Sequence, residues 1–246
     1  MSPNLTFLVW SDTIDVFLSL HTDMNKNYIF KHLTGSLFFF AVLFLCAGRI
    51  NYWQGLVYVA IGLIMSILHY TILKPDRELL EERSKSGQNS KKWDKIILGL
   101  SFLASISMYA VAGFDSGRYH LSSDFSMGLC LGGIVLTIAG QLLFLIAQKQ
   151  NRFFASTVRI QKERNHAVCD TGIYKTVRHP AYLGSILQAA GFPLLLGSAW
   201  SFLPAVVLII LFVARTFFED KTLMDELEGY RQYSAKVRYR LIPFIW

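Results

Sequence analysis

The sequence predicts an all-α membrane protein, a polytopic helical bundle of about six transmembrane helices with both termini in the cytoplasm. Hydrophobic residues make up 53% of the 246 residues and charged residues only 17%. The mean hydropathy is +0.38. The apolar residues also occur in long runs, and a bilayer span needs about 20 of them. Finally, polar segments separate these apolar runs, and almost all Lys and Arg residues lie in every second polar segment.

Six apolar segments are candidate spans. They comprise residues 33–48, 52–73, 96–114, 125–147, 182–197 and 200–214. The first is short for a bilayer. Pro193 and Pro204 lie in the last two segments, where we expect them to kink the helices.

The basic residues predict the orientation. Of the 24 Lys and Arg residues, 22 fall in residues 1–31, 74–95, 148–180 and 215–246, which six spans place on one side. Arg49 and Arg118 fall on the other. Cytoplasmic loops carry the excess of Lys and Arg, so the split predicts that both termini and the long polar loops are cytoplasmic. The net charge of +7 then suits anionic membrane lipids, and no nucleic-acid partner is expected.

Three regions are expected along the chain. Residues 1–31 form an N-terminal arm, residues 32–147 a four-helix membrane region with a cytoplasmic loop at 74–95, and residues 148–246 a core that holds the chemistry. Gly128, Gly132, Gly133 and Gly140 in the fourth span are small residues of the kind that let membrane helices pack closely.

Several familiar chemistries lack their motifs. The sequence has no Gly-rich phosphate loop, HExxH, paired CxxC or GxSxG. Its three cysteines give no disulfide framework. His166, Cys169 and His179 do not have a standard zinc spacing, so no metal is expected.

Polar residues concentrate where the fifth span begins. Arg178 and His179 precede Pro180 and an apolar run, and charge at a membrane border is unfavourable unless it is paired or binds something. Arg215 and Glu219 are four residues apart and share a helix face. Taken separately, Arg178 and His179 also fit an anchor at the membrane interface. Arg215 and Glu219 also fit an ordinary intrahelical ion pair.

Together they resemble the integral-membrane isoprenylcysteine carboxyl methyltransferases and the related phospholipid methyltransferases, in their bacterial-type branch. The resemblance rests on His166-x5-Gly172-Ile173-Tyr174, Arg178-His179-Pro180-x-Tyr182-x-Gly184 and Arg215-x3-Glu219-Asp220. It extends to the tail, Gly229-Tyr230-x2-Tyr233, and upstream to Lys92-Trp93-Asp94-Lys95. One departure is Glu219-Asp220, where the family usually has two glutamates.

The resemblance implies S-adenosyl-L-methionine as methyl donor and an active site that faces the cytoplasm. It implies Arg215 and Glu219 as catalytic residues, with Arg215 and Arg178 on the acceptor. The implied donor-binding residues are Gln161, His166, Ala167, Val168, Cys169, Gly172, Tyr174, His179, Pro180, Ala181, Tyr182 and Glu219.

The residue types suit that chemistry. The donor's sulfonium is a cation, which a carboxylate and tyrosine faces attract. A carboxylate acceptor is already ionised at neutral pH and needs no general base. An arginine fork orients such a group. The expected reaction is therefore O-methylation of a lipidic acceptor, most simply an isoprenylcysteine carboxylate, which enters from the bilayer.

Other functions stay open from the sequence alone. The acceptor is alternatively a phospholipid amine or a small thiol. Similar RHPxY stretches occur in membrane sterol reductases, although this chain is short for that bundle. A membrane scaffold or small transporter would explain the hydrophobicity and the charge split, but not the polar residues gathered beside Pro180.

Overall fold

The computed structural model describes residues 33–73, 90–122 and 125–246, and the regular structure of this part is helical. Its helices are α1 (Leu33–Ala47), α2 (Trp53–Leu73), α3 (Lys92–Ala112), α4 (Met127–Gln150), α5 (Pro180–Leu196), α6 (Phe202–Glu226) and α7 (Tyr230–Lys236). The all-α membrane class predicted from the sequence is thus confirmed. The predicted N-terminal arm and residues 74–89 of the predicted loop lie outside the described residues.

Each of the six predicted spans is an apolar helix. Four helices are long and apolar enough to cross a membrane: α2, α3 with its continuation to Tyr119, α4 and α6. Helices α1 and α5 are apolar but shorter. The count of six crossings and the cytoplasmic placement of the termini stay predictions.

The third helix extends further than the sequence predicts. A loop was expected from residue 115, but α3 continues as a π-helix over Gly113–Tyr119. This segment buries the Asp115 carboxylate, which accepts hydrogen bonds from the Ser122 and Ser198 hydroxyls at 2.6 Å each and from the Trp200 N–H at 3.2 Å. The carboxylate therefore ties the α5–α6 turn to the end of α3, a tertiary contact that has no local signal.

The sixth helix also extends beyond its apolar part. The predicted span ends at residue 214. Instead α6 runs without interruption from Phe202 to Glu226, because no Gly or Pro follows Pro204 until Gly229. Arg215 and Glu219 therefore lie on a rigid helix that continues from the membrane segment. Gly229, with φ +81°, separates α6 from α7.

Helices α4 and α5 pack antiparallel through two pairs of glycines. A Cβ atom on Gly140 would lie 2.5 Å from the Gly184 carbonyl oxygen, and one on Gly133 would lie 2.8 Å from the Gly191 carbonyl oxygen. Such distances leave room only for hydrogen. By contrast, a Cβ on Gly132 would meet no atom of the described residues within 4 Å. Of the predicted packing glycines, Gly133 and Gly140 thus make the contact, and it brings the start of α5 against the end of α4.

We predict that Gly140→Ala lowers the thermal unfolding temperature of the purified protein. The added methyl group overpacks the α4–α5 contact, which typically destabilises a core by about 1–3 kcal/mol. Gly132→Ala is the matched control, and it should be neutral or slightly stabilising because alanine is the better helix former. Equal unfolding temperatures for the two variants would show that the close contact does not hold these helices together.

Candidate active site

The predicted site residues converge on one cavity. Its volume is about 690 Å³, and it lies among the ends of α2, α4, α5 and α6 on the predicted cytoplasmic side, the loop after α4, and α7. Of the residues singled out in the sequence, those that line it are Gln161, His166, Ala167, Val168, Cys169, Tyr174, Arg178, His179, Ala181, Tyr182, Arg215 and Glu219.

Gly172 and Pro180 do not line the cavity but shape its wall. Gly172 has φ +56°, and a Cβ there would lie 2.2 Å from the Gln150 side-chain oxygen. That oxygen accepts the Ile173 N–H at 2.9 Å. Pro180 is the first residue of α5, where its fixed φ and missing N–H suit a helix start. Both residues therefore act on the backbone conformation.

Gln161 organises the loop between α4 and α5. Its side chain is almost fully buried. Nε2 donates to the Phe153 carbonyl oxygen at 2.7 Å, and Oε1 accepts from Arg164 at 2.6 Å. Its backbone N–H donates to Nδ1 of His166 at 3.3 Å. In the neutral His166 ring the proton is therefore on Nε2.

Arg215 is held by a buried carboxylate that the sequence did not identify as part of the site. Asp94, in the first turn of α3, is fully buried. Its Oδ1 accepts from Nε of Arg215 at 2.7 Å, and its Oδ2 accepts the Val158 N–H at 2.8 Å. Arg215 also donates to the Ser156 carbonyl oxygen at 2.8 Å, and its Cζ lies 5.4 Å from the centre of the Tyr182 ring. The guanidinium is thereby fixed in the cavity wall.

Glu219 and Tyr182 form a hydrogen-bonded pair across two helices. The Tyr182 hydroxyl on α5 donates to the Glu219 carboxylate on α6. Glu219 lies one turn after Arg215 on α6, so the two side chains share a face. An anion, a cation and an aromatic ring thus lie side by side in the wall.

A second buried carboxylate, Asp220, joins four parts of the chain. Arg178 donates to both its oxygens at 2.8 Å each. Arg240 and Tyr230 each donate to it at 2.8 Å, and Nε2 of His179 lies 3.2 Å from Oδ1. Such charge-assisted bonds compensate for burial.

Arg178, predicted as an acceptor ligand, is in contact mainly with the tail. Besides Asp220 it donates to the carbonyl oxygens of Val237 and Arg238 at 2.7 and 2.9 Å. Burial alone would lower the pKa of Arg178, but hydrogen bonds and charge from Asp220 outweigh burial and raise the pKa. Arg178 is therefore a permanent cation with several partners, which favours a bracing role. Acceptor binding by Arg178 stays an untested prediction.

The tail packs against the turn that precedes α5. The backbone N–H groups of Arg178 and His179 donate to the backbone carbonyl oxygens of Tyr239 and Arg240 at 3.0 and 2.9 Å, respectively. The Tyr233 hydroxyl on α7 donates to the Tyr174 carbonyl oxygen at 2.6 Å. A second cavity of about 590 Å³ adjoins the first, and the two share His166, Ala167, Val168 and Tyr233.

The Cys169 thiol and the possible metal ligands concern two other kinds of chemistry. Burial raises the pKa of the Cys169 thiol, which keeps it protonated near neutral pH and a poor nucleophile. Across the ranges that the structure describes, no three or more His, Cys, Asp or Glu side chains come together as metal ligands.

Sequence reasoning missed four residues of the site and its support. Asp94 and Asp220 hold the two arginines, Tyr230 supports Asp220, and Gln148 lines the cavity from α4. Asp94 and Asp220 stood inside the stretches that carried the family resemblance. Nothing in the sequence indicated that Gln148 belongs to the site, because a glutamine at a helix end is usually exposed.

Comparison with known proteins agrees with this architecture. Residues 128–228, which run from α4 to the end of α6, match the sequence model of the phospholipid methyltransferase family. The part of the chain that runs from α4 to the end of α6, and with it Tyr182, Arg215 and Glu219, is thus similar to this family of methyltransferases.

The similar curated proteins are isoprenylcysteine methyltransferases. The chain is 34% identical over 120 residues to the protein-S-isoprenylcysteine O-methyltransferase of Saccharomyces cerevisiae. The aligned region covers 46% of this chain and 48% of that protein. The chain is 35% identical over 101 residues to the enzyme of that name from Schizosaccharomyces pombe, covering 40% and 43%. A probable enzyme of this type from Oryza sativa subsp. indica is 28% identical over 116 residues, covering 46% and 60%. The chain spans about half the length of the curated relatives it matches.

We predict that Asp220→Ala releases the tail. Removing one partner of a buried ionic cluster leaves uncompensated charge and typically destabilises by about 3–5 kcal/mol. Asp225→Ala is the control on the same helix. Its pair with Arg231 at 3.2 Å is exposed, and such pairs contribute about 0–1 kcal/mol. Limited proteolysis between residues 227 and 246 should be much faster in Asp220→Ala alone. Equal cleavage of both variants would contradict a role for Asp220 in holding the tail.

Proposed function

We propose that the protein is an integral-membrane, S-adenosyl-L-methionine-dependent methyltransferase that methylates the carboxylate of an isoprenylcysteine-like lipid. One observation carries the proposal. Arg215, Glu219 and Tyr182 lie together in a cavity whose wall also contains the loop 166–169 and apolar side chains of membrane helices. The names of the similar proteins support the same reaction.

The cavity suits the proposed methyl donor. Its volume of about 690 Å³ is within the usual range of about 300–1,000 Å³ for sites that bind small molecules. It offers a carboxylate at Glu219, aromatic rings at Tyr174 and Tyr182 and a polar backbone segment at 166–169. These are the groups that a cation with adenine and amino-acid ends requires. When bound, S-adenosyl-L-methionine supplies an electrophilic methyl group on a sulfonium centre.

In this proposal Glu219 holds the donor and Arg215 the acceptor. The Tyr182 hydroxyl donates to Glu219 and fixes the direction of its carboxylate. Asp94 and the Ser156 carbonyl oxygen fix Arg215. An arginine held in this way orients a carboxylate with little further loss of side-chain freedom. The neighbouring positions of Arg215 and Glu219 on α6 then align the two reactants.

Alignment, rather than proton transfer, is the proposed source of catalysis. A carboxylate acceptor is ionised at neutral pH, so no residue has to remove a proton. Positioning two reactants at about 3–3.5 Å can supply about 7–11 kcal/mol of the barrier. The rigid helix α6 and the buried pairs of Arg215 and Tyr182 support such positioning.

The first test concerns the donor. Glu219→Ala should weaken binding of S-adenosyl-L-methionine at least about tenfold, because a charge-assisted contact contributes about 1.5–3 kcal/mol. Glu226→Ala is the matched control, since Glu226 is on the same helix but pairs with Lys91 in an exposed position. Titration calorimetry on the detergent-purified protein measures both. If wild-type protein does not bind the donor, or if both variants bind it equally well, the donor assignment is wrong.

A phospholipid amine is the second candidate acceptor, and the description of the matched family favours it. An amine must lose a proton before it attacks, so its methylation should accelerate with rising pH. Carboxylate methylation should instead be flat from about pH 6 to pH 8, because a carboxyl group is ionised throughout that range.

The second test therefore supplies a prenylcysteine carboxylate and a phosphatidylethanolamine to the same preparation, with radiolabelled donor. We expect label in the prenylcysteine ester. We also expect Arg215→Lys to raise the acceptor KM about tenfold with little change in donor affinity, since lysine cannot make the bidentate contact. Label in the phospholipid alone would replace the carboxylate proposal with the amine one.

A further inference from the structure

Gln148 is a buried polar residue in the wall of the cavity. It lies in the last turn of α4, is 7% exposed and lines the cavity beside Phe144 and His69. Its Oε1 is buried and has no hydrogen-bond partner within the described residues. An unsatisfied buried amide oxygen destabilises the fold, and native proteins rarely contain one without a reason. A ligand that donates a hydrogen bond would supply the missing partner.

Gln141 shows what the same side chain is like away from the cavity. It lies two helical turns earlier on α4, and its Oε1 is likewise buried with no partner in the described part of the chain. Gln141 is not among the residues that line the cavity. The two glutamines therefore share residue type, helix and unpaired oxygen, and they differ in access to the ligand.

We propose that Gln148 binds the methyl acceptor, its Oε1 accepting a hydrogen bond from an N–H group next to the acceptor's carboxylate; this rests on the proposed function. The position of Gln148 favours the acceptor over the donor. The candidate donor residues reach the cavity from the loop 166–182 and from Glu219, whereas Gln148, Phe144 and His69 reach it from the membrane helices α4 and α2. A lipid entering from the bilayer passes that wall.

The chemistry of the acceptor matches this arrangement. In a prenylated cysteine the carboxylate and an amide nitrogen are attached to the same carbon atom. Arg215 provides only hydrogen-bond donors, which suit the carboxylate but not the N–H. An amide oxygen such as Oε1 of Gln148 provides the complementary acceptor. Arg215 and Gln148 together would distinguish an amino-acid lipid from a plain fatty acid.

The experiment compares two acceptors that differ in this nitrogen. N-acetyl-S-farnesylcysteine carries the N–H, and S-farnesyl-3-mercaptopropionate lacks the whole acetamido group. Wild-type protein, Gln148→Met and Gln141→Met are each assayed with labelled donor on the full chain. Methionine keeps the unbranched shape of glutamine and removes the amide. We expect the wild type to prefer the first acceptor about tenfold in kcat/KM, the factor that one hydrogen bond provides.

The expected result is specific to one variant and one acceptor. Gln148→Met should lose the preference by slowing only on N-acetyl-S-farnesylcysteine, and Gln141→Met should keep it. Retention of the preference in Gln148→Met, or an equal loss on both acceptors, overturns the proposal. A weaker donor Kd by calorimetry in Gln148→Met also overturns it, since it assigns Gln148 to the donor.

Stability and wild-type activity complete the test. Because Oε1 of Gln148 has no partner in the described part of the chain, Gln148→Met and the second variant Gln148→Leu should unfold no earlier than the wild type. A clear loss of Tm in both would show that the amide serves the fold, and would overturn the proposal. If the wild type methylates neither acceptor, the proposed function itself fails and the inference fails with it.

Discussion

The architecture around the cavity depends on the buried carboxylate of Asp220. Arg178, His179, Tyr230 and Arg240, which come from the turn before α5, from α7 and from the tail, all meet it. Further hydrogen bonds from Arg178 to the carbonyl oxygens of Val237 and Arg238 reinforce the contact between that turn and the tail. A buried charge is tolerated only when it is fully paired, so the cluster forms completely or not at all. The part of the cavity wall next to the turn before α5 and α7 therefore depends on this cluster.

A second buried carboxylate, Asp94, holds the side of the cavity where Arg215 and Glu219 lie. Asp94 on α3 fixes Arg215 on α6 and also accepts a backbone N–H of the loop at Val158. The glycine contact between α4 and α5 places Tyr182 near Glu219. Helix packing in the membrane and ion pairing at its border thus cooperate, because side chains are positioned accurately only on rigid neighbouring helices.

Part of the fold and of the site was predictable from local features. The six apolar helices follow from runs of hydrophobic residues, and many polar residues of the cavity wall lie in the motifs that carry the family resemblance. The predicted ends of α3 and α6 were wrong. Their extensions, to Tyr119 as a π-helix and to Glu226, depend on buried polar contacts and uninterrupted helix formers rather than on hydropathy.

The sequence by itself determined the class of protein, its apolar helices and the residue types of its chemistry, since hydrophobicity and spacing are local properties. The tertiary structure decided which charges are paired. Arg178 and Arg215 are equally basic in the sequence, yet Arg178 pairs with Asp220 and contacts the tail, whereas Arg215 pairs with Asp94 beside Tyr182. It also decided that Gln148 is buried, with no partner for its Oε1 among the residues that the structure describes. Both facts arise from contacts between residues far apart in the chain, which no local pattern contains.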